Sequence, residues 1–231
     1  MMLVQVAIVL QSYFWPIYFQ SVRNTTAKQS GINLLPTIVS NSIGTLCAGW
    51  VASKSGHYVP FMWIGAPTLA AGGGLYQLIR VDTPDAQWIG FQILSGFGYG
   101  ICSQMPILAV HVVLSKANIP TGLVMVMFFQ MLGGALAPSV GQNLFVDSLL
   151  RNLSKVQGID AEAVVAAGGT GFREVVPPKL MDVVIDVFNS ALRNVFWAAL
   201  ATPVLAWIVS WAMEWRKLPD SASRGTQAPA A

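Results

Sequence analysis

Six stretches of this chain contain no aspartate, glutamate, lysine or arginine: residues 1–20, 29–53, 55–79, 86–115, 117–146 and 194–213. A helix of about 20 apolar residues spans the roughly 30 Å hydrocarbon core of a bilayer. The pattern predicts six membrane-spanning helices at about residues 1–20, 31–52, 58–79, 88–114, 121–146 and 194–213. Because the first begins at residue 1 with no preceding loop, we expect the sequence to be the end of a longer protein.

The composition excludes most soluble classes of protein. Of the 231 residues, 54% are hydrophobic and 10% are charged, whereas about 25% charge is usual for a soluble domain. The net charge of +3 is not gathered in a basic block, so we expect the lipid bilayer and not nucleic acid as a partner. We find no pairing of a nucleophile with a base and no cluster of metal ligands, so we predict no enzymatic activity, cofactor or metal site.

The longest connection, residues 147–193, holds most of the acidic residues. Asp160 is a suitable N-cap for a short helix that stops at Gly168 and Gly169. Pro178 suits the first position of a second helix, which would lie on the membrane surface before the last span. We therefore predict an extracytoplasmic loop with a surface helix at 147–193.

The predicted topology also orients the ends of the chain. Residues 216–231 are rich in Ser, Pro and Ala, which predicts a disordered cytoplasmic tail. The sequons at Asn24 and Asn152 would lie on the extracytoplasmic side and are glycosylation candidates. The count of lysine and arginine in the loops favours the opposite orientation, so charge alone leaves it open.

Polar residues inside the predicted spans have two possible roles. Asn33, Thr37, Asn41 and Thr45 recur every four residues and form one stripe that must face protein or water. Such residues, and the amides elsewhere in the spans, either line a polar cavity for a solute or form hydrogen bonds between helices. The spans offer no carboxylate that could carry a proton through the membrane.

Short runs over nearly the whole chain carry a specific resemblance. They include Tyr18-Phe19-Gln20-Ser21-Val22-Arg23, Gly96-Phe97-Gly98-Tyr99-Gly100, and residues 29–36, 58–62, 88–94, 129–135, 141–143 and 213–215. In this order they resemble the carboxyl half of major facilitator superfamily transporters. The most similar group is the fungal fourteen-span drug:proton antiporters, which includes mycotoxin and secondary-metabolite efflux pumps.

The resemblance implies an all-α membrane protein in which residues 1–215 form one six-helix half of an alternating-access exporter. It implies proton-coupled efflux of small hydrophobic metabolites or toxins at the plasma membrane, with the protons carried by a missing amino-terminal half. Two alternatives remain open. The chain could be an inactive remnant or assembly partner without transport of its own, or a siderophore-type carrier.

The resemblance also implies roles for individual residues. The first and fourth spans would line the cavity, which makes Gln11, Gln92 and Gln104 candidate solute contacts. Two further polar residues within the spans, Asn41 and Gln130, complete the set of candidates. Residues 49–56 resemble the cytoplasmic gating loop of the superfamily, with Gly49, Lys54 and Gly56 as candidates, although Ser53 stands where an acid is common.

Overall fold

The computed structural model describes residues 1–213, which form helices joined by short loops. The first half contains α1 (Met2–Ile17) with a following π-helical turn (Tyr18–Val22), α2 (Ala27–Ile32), α3 (Leu35–Ser55) and α4 (Val59–Leu75) with a 3-10 turn (Tyr76–Leu78). The second half contains α5 (Asp85–Ser103), α6 (Met105–Val113), α7 (Ile119–Leu153), α8 (Ala161–Val175), a 3-10 turn (Pro178–Leu180) and α9 (Met181–Ser210). The predicted tail lies outside the described residues.

Five helical segments are long and apolar enough to cross a membrane: Met2–Val22, Ala27–Ser55, Asp85–Val113, Ile119–Leu153 and Pro178–Ser210. The predicted third span corresponds to α4 and its 3-10 turn, which is not among the five. This helix has only 17 residues, and they include two prolines and a run of three glycines. Within residues 1–213 the all-helical architecture is confirmed, and five of the six predicted spans have a matching helix.

Two predicted spans are interrupted helices. The second divides into α2 and α3 at Asn33 and Leu34, and the fourth divides into α5 and α6 at Gln104. In both cases a proline, Pro36 or Pro106, lies two residues after the break. Proline has no backbone N–H to donate and crowds the preceding turn, so the helix restarts around it.

The neighbouring helices extend into both ends of the connection predicted at residues 147–193. Helix α7 continues to Leu153 with 35 residues, and α9 is a single helix of 30 residues from Met181. The helix predicted to begin at Pro178 is continuous with the last span, because Val184, Phe188 and Val195 continue one buried face of α9. At about 1.5 Å per residue, α7 and α9 reach about 50 Å and 45 Å and are longer than the hydrocarbon core is thick.

Helix α8 begins where the sequence indicates. The Asp160 carboxylate accepts hydrogen bonds from the backbone N–H groups of Glu162 (3.0 Å) and Ala163 (3.2 Å). The helix breaks at Gly168, whose φ of 74° and ψ of −176° are not helical, but it resumes and ends at Val175. The helix that begins at Asp160 therefore stops at Gly168, as the sequence predicts, and a second helical part follows, anchored by Phe172, which stacks on Phe188 at 4.4 Å.

Helix α5 lies between α3 and α4 and touches both through glycines. A Cβ atom on Gly96 would overlap Ser40 and Thr37 of α3, and one on Gly100 would overlap the Asn41 carbonyl oxygen. A Cβ on Gly98 would instead overlap the backbone nitrogen of Leu69 in α4. The run 96–100 therefore brings α5 into backbone contact with two neighbours at once.

The end of α1 is tied to the loop between α4 and α5 by one arginine. The Arg23 guanidinium donates to the Thr83 carbonyl oxygen (2.8 Å) and the Val81 carbonyl oxygen (3.3 Å), and pairs with Asp85 at 2.6 Å. Nearby, the Tyr18 hydroxyl donates to the Arg80 carbonyl oxygen at 2.9 Å. The side chain of Arg23 is 25% exposed and that of Asp85 is 70% exposed, so the carbonyl bonds contribute most.

We expect Arg23→Ala to lower the free energy of unfolding by about 1–3 kcal/mol, because two backbone carbonyls lose their donor. Lys28→Ala, in the following short helix α2, is the matched control, because Lys28 is exposed. Thermal unfolding of the purified chain, followed by intrinsic fluorescence, measures the difference. Equal midpoints for the two variants would show that the Arg23 hydrogen bonds do not hold the end of α1 to the loop between α4 and α5.

Candidate functional site

Six polar side chains meet in the interior between α1, α3, α4 and α5. Five of them are at most 1% exposed, and the sixth, Thr37, is 8% exposed. Helix α1 supplies Gln11 and Trp15, α3 supplies Thr37, the turn after α4 supplies Tyr76, and α5 supplies Gln92 and Ser95. We call these six residues the polar cluster: Gln11, Trp15, Thr37, Tyr76, Gln92 and Ser95.

Glycines on α4 make room for the cluster. A Cβ on Gly72 would lie 2.6 Å from the Cα of Ser95, so only glycine allows α5 to approach this closely. A Cβ on Gly73 would lie 3.5 Å from the Gln11 Nε2 atom. The glycine run of α4 therefore leaves room for polar groups from α1 and α5 at its surface.

Two hydrogen bonds organise the cluster. The Ser95 hydroxyl donates to Gln11 Oε1, which joins α5 to α1. The Thr37 hydroxyl donates to Gln92 Oε1 at 2.8 Å, which joins α3 to α5. The Trp15 and Tyr76 rings pack edge to face with centroids 5.0 Å apart.

Four polar atoms of the cluster have no hydrogen-bond partner among the described residues. They are Gln11 Nε2, Trp15 Nε1, Gln92 Nε2 and the Tyr76 hydroxyl oxygen. A buried donor without an acceptor costs about 1–3 kcal/mol, so such groups are normally satisfied by water or a ligand. Tyr76 lies against Trp15 and Ser95, so the amide N–H groups of Gln11 and Gln92 are the donors best placed for a neutral molecule that offers carbonyl, hydroxyl or ether oxygen.

The structure brings together only two of the five sequence-predicted cavity residues, Gln11 and Gln92. Gln104 is exposed at the break between α5 and α6. Asn41 is half-buried, and its Oδ1 lies 3.5 Å from the donating Thr45 hydroxyl. Gln130 is half-buried on α7 and donates to Gln5 Oε1 at 3.3 Å, an oxygen that also accepts from the Tyr99 hydroxyl at 2.8 Å.

Sequence reasoning missed Trp15, Tyr76 and Ser95. The two aromatic residues count as hydrophobic in a search for spans, although each has one polar atom that needs a partner when it is buried. Ser95 is a small residue next to Gly96, and a single serine does not stand out in such a segment. The available signal was helical spacing, since Ser95 lies three residues after Gln92 and Trp15 lies four after Gln11.

The other predicted residues lie at the surface. Gly56 has a φ of 68° and ends α3, with its N–H donating to the Ala52 carbonyl oxygen at 3.0 Å. The Lys54 ammonium lies 3.7 Å from the centroid of the Trp50 ring, and a Cβ on Gly49 would meet open space.

The two sequons differ in their local structure. Asn24 is exposed in the loop after the π-helical turn and has a φ of 53°. Asn152 lies in the last turn of α7, where its Oδ1 accepts from the Lys155 ammonium at 3.3 Å. A glycosylated asparagine must reach the modifying enzyme in an accessible segment, so the geometry favours Asn24 over Asn152.

Comparison with known proteins identifies the class to which this helical bundle belongs. No protein-family model matches the sequence. The chain is 75% identical over 230 residues to the MFS-type transporter ltbE of Aspergillus luteorubrus, a match that covers 100% of this chain and 42% of that protein. It is 40% identical over 211 residues to the efflux pump aflT of Aspergillus parasiticus, over 90% of this chain and 41% of the pump. With the MFS-type transporter astH of Aspergillus oryzae it shares 41% identity over 208 residues, 90% of this chain and 37% of that protein.

The chain is thus homologous, nearly end to end, to multi-pass membrane transporters. It belongs to the major facilitator superfamily. It spans about two fifths of the length of the curated relatives it matches.

Proposed function

We propose that this chain is the six-helix carboxyl half of a major facilitator exporter of small hydrophobic metabolites or toxins, coupled to protons and located in the plasma membrane. The observation that carries the proposal is the 75% identity to an MFS-type transporter over the full length of the chain. A second relative bears the name efflux pump, which favours export over uptake. No enzymatic step is needed for this role.

The sixth crossing in this proposal is α4. Near the start of α4, Met62 lines a small cavity with Met1 and Met213. Met1 directly precedes α1, and Met213 follows the C-terminal end of α9. At its other end, Tyr76 packs against Trp15 in the last turn of α1. Helix α4 therefore runs the length of the bundle, and with its 3-10 turn it reaches about 30 Å, enough to cross the hydrocarbon core.

The polar cluster is the proposed solute contact of this half. The unpaired Nε2 atoms of Gln11 and Gln92 would donate to oxygen atoms of an otherwise apolar solute. Asn41, Gln104 and Gln130 remain candidates for contacts elsewhere along the path. The proposed gating residues and glycosylation sites keep the roles that the resemblance and the sequons suggest.

Proton coupling in this proposal depends on residues outside this chain. The polar cluster consists of amides, hydroxyls and an indole, and these groups do not exchange protons near neutral pH. The two hydrogen bonds within the cluster, from Ser95 to Gln11 and from Thr37 to Gln92, also join neutral groups. The proton-carrying acids would belong to an amino-terminal half.

A chimera tests the proposal directly. This chain would replace the aligned segment of the Aspergillus luteorubrus transporter, and proteoliposomes containing the chimera would be loaded with rhodamine 6G under an imposed pH gradient. Because three residues in four are identical, we expect efflux within about threefold of the parent, a difference below 1 kcal/mol in the barrier. Collapse of the pH gradient should stop the efflux.

The control is a chimera of the same length that carries Arg23→Ala, which should retain the transport mechanism but lose stability. Efflux from the parent and none from a correctly folded chimera would contradict the proposal and favour an inactive remnant. Efflux that persists without a pH gradient would contradict the proton-coupled part alone.

A further inference from the structure

A second cavity lies beneath α8, away from the polar cluster. It has a volume of about 190 Å³ and is enclosed by residues from four helices, none of which belongs to the cluster. Its walls are Tyr13 and Ile17 of α1, Gln142, Phe145, Val146 and Leu149 of α7, Val164, Val165, Gly168 and Gly169 of α8, and Phe188 of α9. Helix α8 therefore covers one side of the cavity, which we call the roof, and α1, α7 and α9 form the other side, which we call the floor.

The floor of this cavity is aromatic and rigid. Phe145 is 6% exposed and Phe188 is 1% exposed, and their ring centroids lie 6.0 Å apart. Phe145 also packs against Phe14 at 5.8 Å, while Phe188 stacks on Phe172 of α8 at 4.4 Å. An aromatic guest would meet ring edges and faces already held in place by their neighbours.

The roof is broken at a glycine that cannot be replaced without strain. Gly168 has a φ of 74° and a ψ of −176°, a combination that is essentially restricted to glycine. On one side of it, Val164 is 1% exposed; on the other, Arg173 donates to the Ser21 carbonyl oxygen at 2.8 Å. The two parts of α8 are thus anchored separately, with the glycine backbone directly over the cavity.

The chemistry of the walls restricts the guest. No wall residue is charged, and the polar side chains among them are those of Tyr13 and Gln142. Tyr13 is 47% exposed and Gln142 is also exposed, so both lie at the rim. The volume is below the range of about 300–1,000 Å³ that suits drug-sized ligands, but it exceeds an apolar cavity of about 150 Å³ that accepts benzene.

We propose that this cavity is a binding site for a neutral molecule with a single aromatic ring and one hydroxyl or carbonyl group. The ring would lie against Phe145 and Phe188, and the polar group would reach the Gln142 amide at the rim. The site is separate from the polar cluster, and its occupancy requires no transport cycle.

Binding of 4-fluorophenol tests the proposal in the full 231-residue chain reconstituted in nanodiscs. Fluorine NMR would measure line broadening during titration, and empty nanodiscs of the same lipid would supply the partition background. We expect saturable broadening above that background for the wild type. Since the measurement does not involve efflux, a negative result here leaves the chimera experiment unaffected, and the reverse also holds.

Two variants, each with a matched control, test whether the guest binds within the cavity. Val165→Trp fills the space under α8 and should weaken binding by at least about tenfold, whereas Val175→Trp, at the exposed end of the same helix, should leave it unchanged. Gln142→Leu should weaken binding about fivefold through the loss of one hydrogen bond. Its matched control is Asn143→Leu, because Asn143 donates to Ser139 of its own helix at 2.9 Å and does not line the cavity.

Three results would overturn the proposal. The first is broadening in the wild type that equals the empty-nanodisc background. The second is unaltered affinity in a folded Val165→Trp variant. If that variant does not fold, unaltered affinity in Gln142→Leu is decisive instead.

Discussion

Replacing Gly98 with alanine should cause a large loss of stability, because it adds a methyl group to the packed face of α5. The new Cβ would overlap the backbone nitrogen of Leu69 and lie 2.8 Å from the carbonyl carbon of Thr68. Both are main-chain atoms of α4, so no side-chain rotation can relieve the contact and the helices must separate. Overpacking of this kind costs about 1–3 kcal/mol and occasionally more, and we expect the upper part of that range.

The matched control lies on the same helix. A Cβ on Gly90 would meet nothing within 4 Å, so Gly90→Ala should leave packing intact and raise stability by up to about 1 kcal/mol through helix propensity. Thermal unfolding of both variants in the same detergent gives the comparison. Equal midpoints would show that α4 and α5 lie farther apart in the protein than they do in this structure.

The glycine run shows where sequence reasoning about this fold stops. Four-residue spacing predicts that Gly96 and Gly100 share a face, and both lie against α3. Nothing in the spacing shows that Gly98 meets a different helix. A sequence predicts which residues share a helix face, but not which helix packs against that face. The close packing could be predicted, whereas the identity of the second partner required the structure.

Charge was a better guide to the membrane than to the ends of helices. The predicted fifth span ends at residue 146, just before Asp147, yet α7 passes through Asp147 and Arg151 and ends at Leu153. Asp182 and Asp186 likewise lie within α9. A helix can continue into water while its apolar face still packs on a neighbour, so charged residues mark where lipid contact ends and not where the helix ends.

The polar stripe was predicted on one continuous helix, but Asn33 lies at the break before α3, so α3 carries only Thr37, Asn41 and Thr45. The partners of these residues could not be predicted. The Thr37 hydroxyl bonds to Gln92, and the Thr45 hydroxyl lies 3.3 Å from the Gly100 carbonyl oxygen, so part of the stripe faces α5. These bonds support the role of joining helices for those two threonines. Gln92 keeps an unpaired Nε2 atom, which the same role does not explain.

A double-mutant cycle separates the two roles of Gln92, and it should have the largest effect on transport. Gln92→Leu alone leaves the Thr37 hydroxyl without its acceptor, and Thr37→Val alone leaves Gln92 Oε1 without its donor. Each single variant should lose about 1–3 kcal/mol of stability, because a buried polar group is left unsatisfied. The double variant removes both partners and should regain part of that loss.

Transport by the same variants, placed in the chimera with the Aspergillus luteorubrus transporter, then decides the role. If Gln92 only joins α3 to α5, the double variant should recover rhodamine 6G efflux together with its stability. If the unpaired Nε2 atom contacts the solute, every variant with Gln92→Leu should lose efflux by about tenfold or more, whatever its stability, because a hydrogen bond to the solute is absent. Thr37→Val should remain active in that case, since it leaves the Gln92 amide in place. We expect this second pattern, and full recovery of efflux in the double variant would remove Gln92 from the proposed solute site.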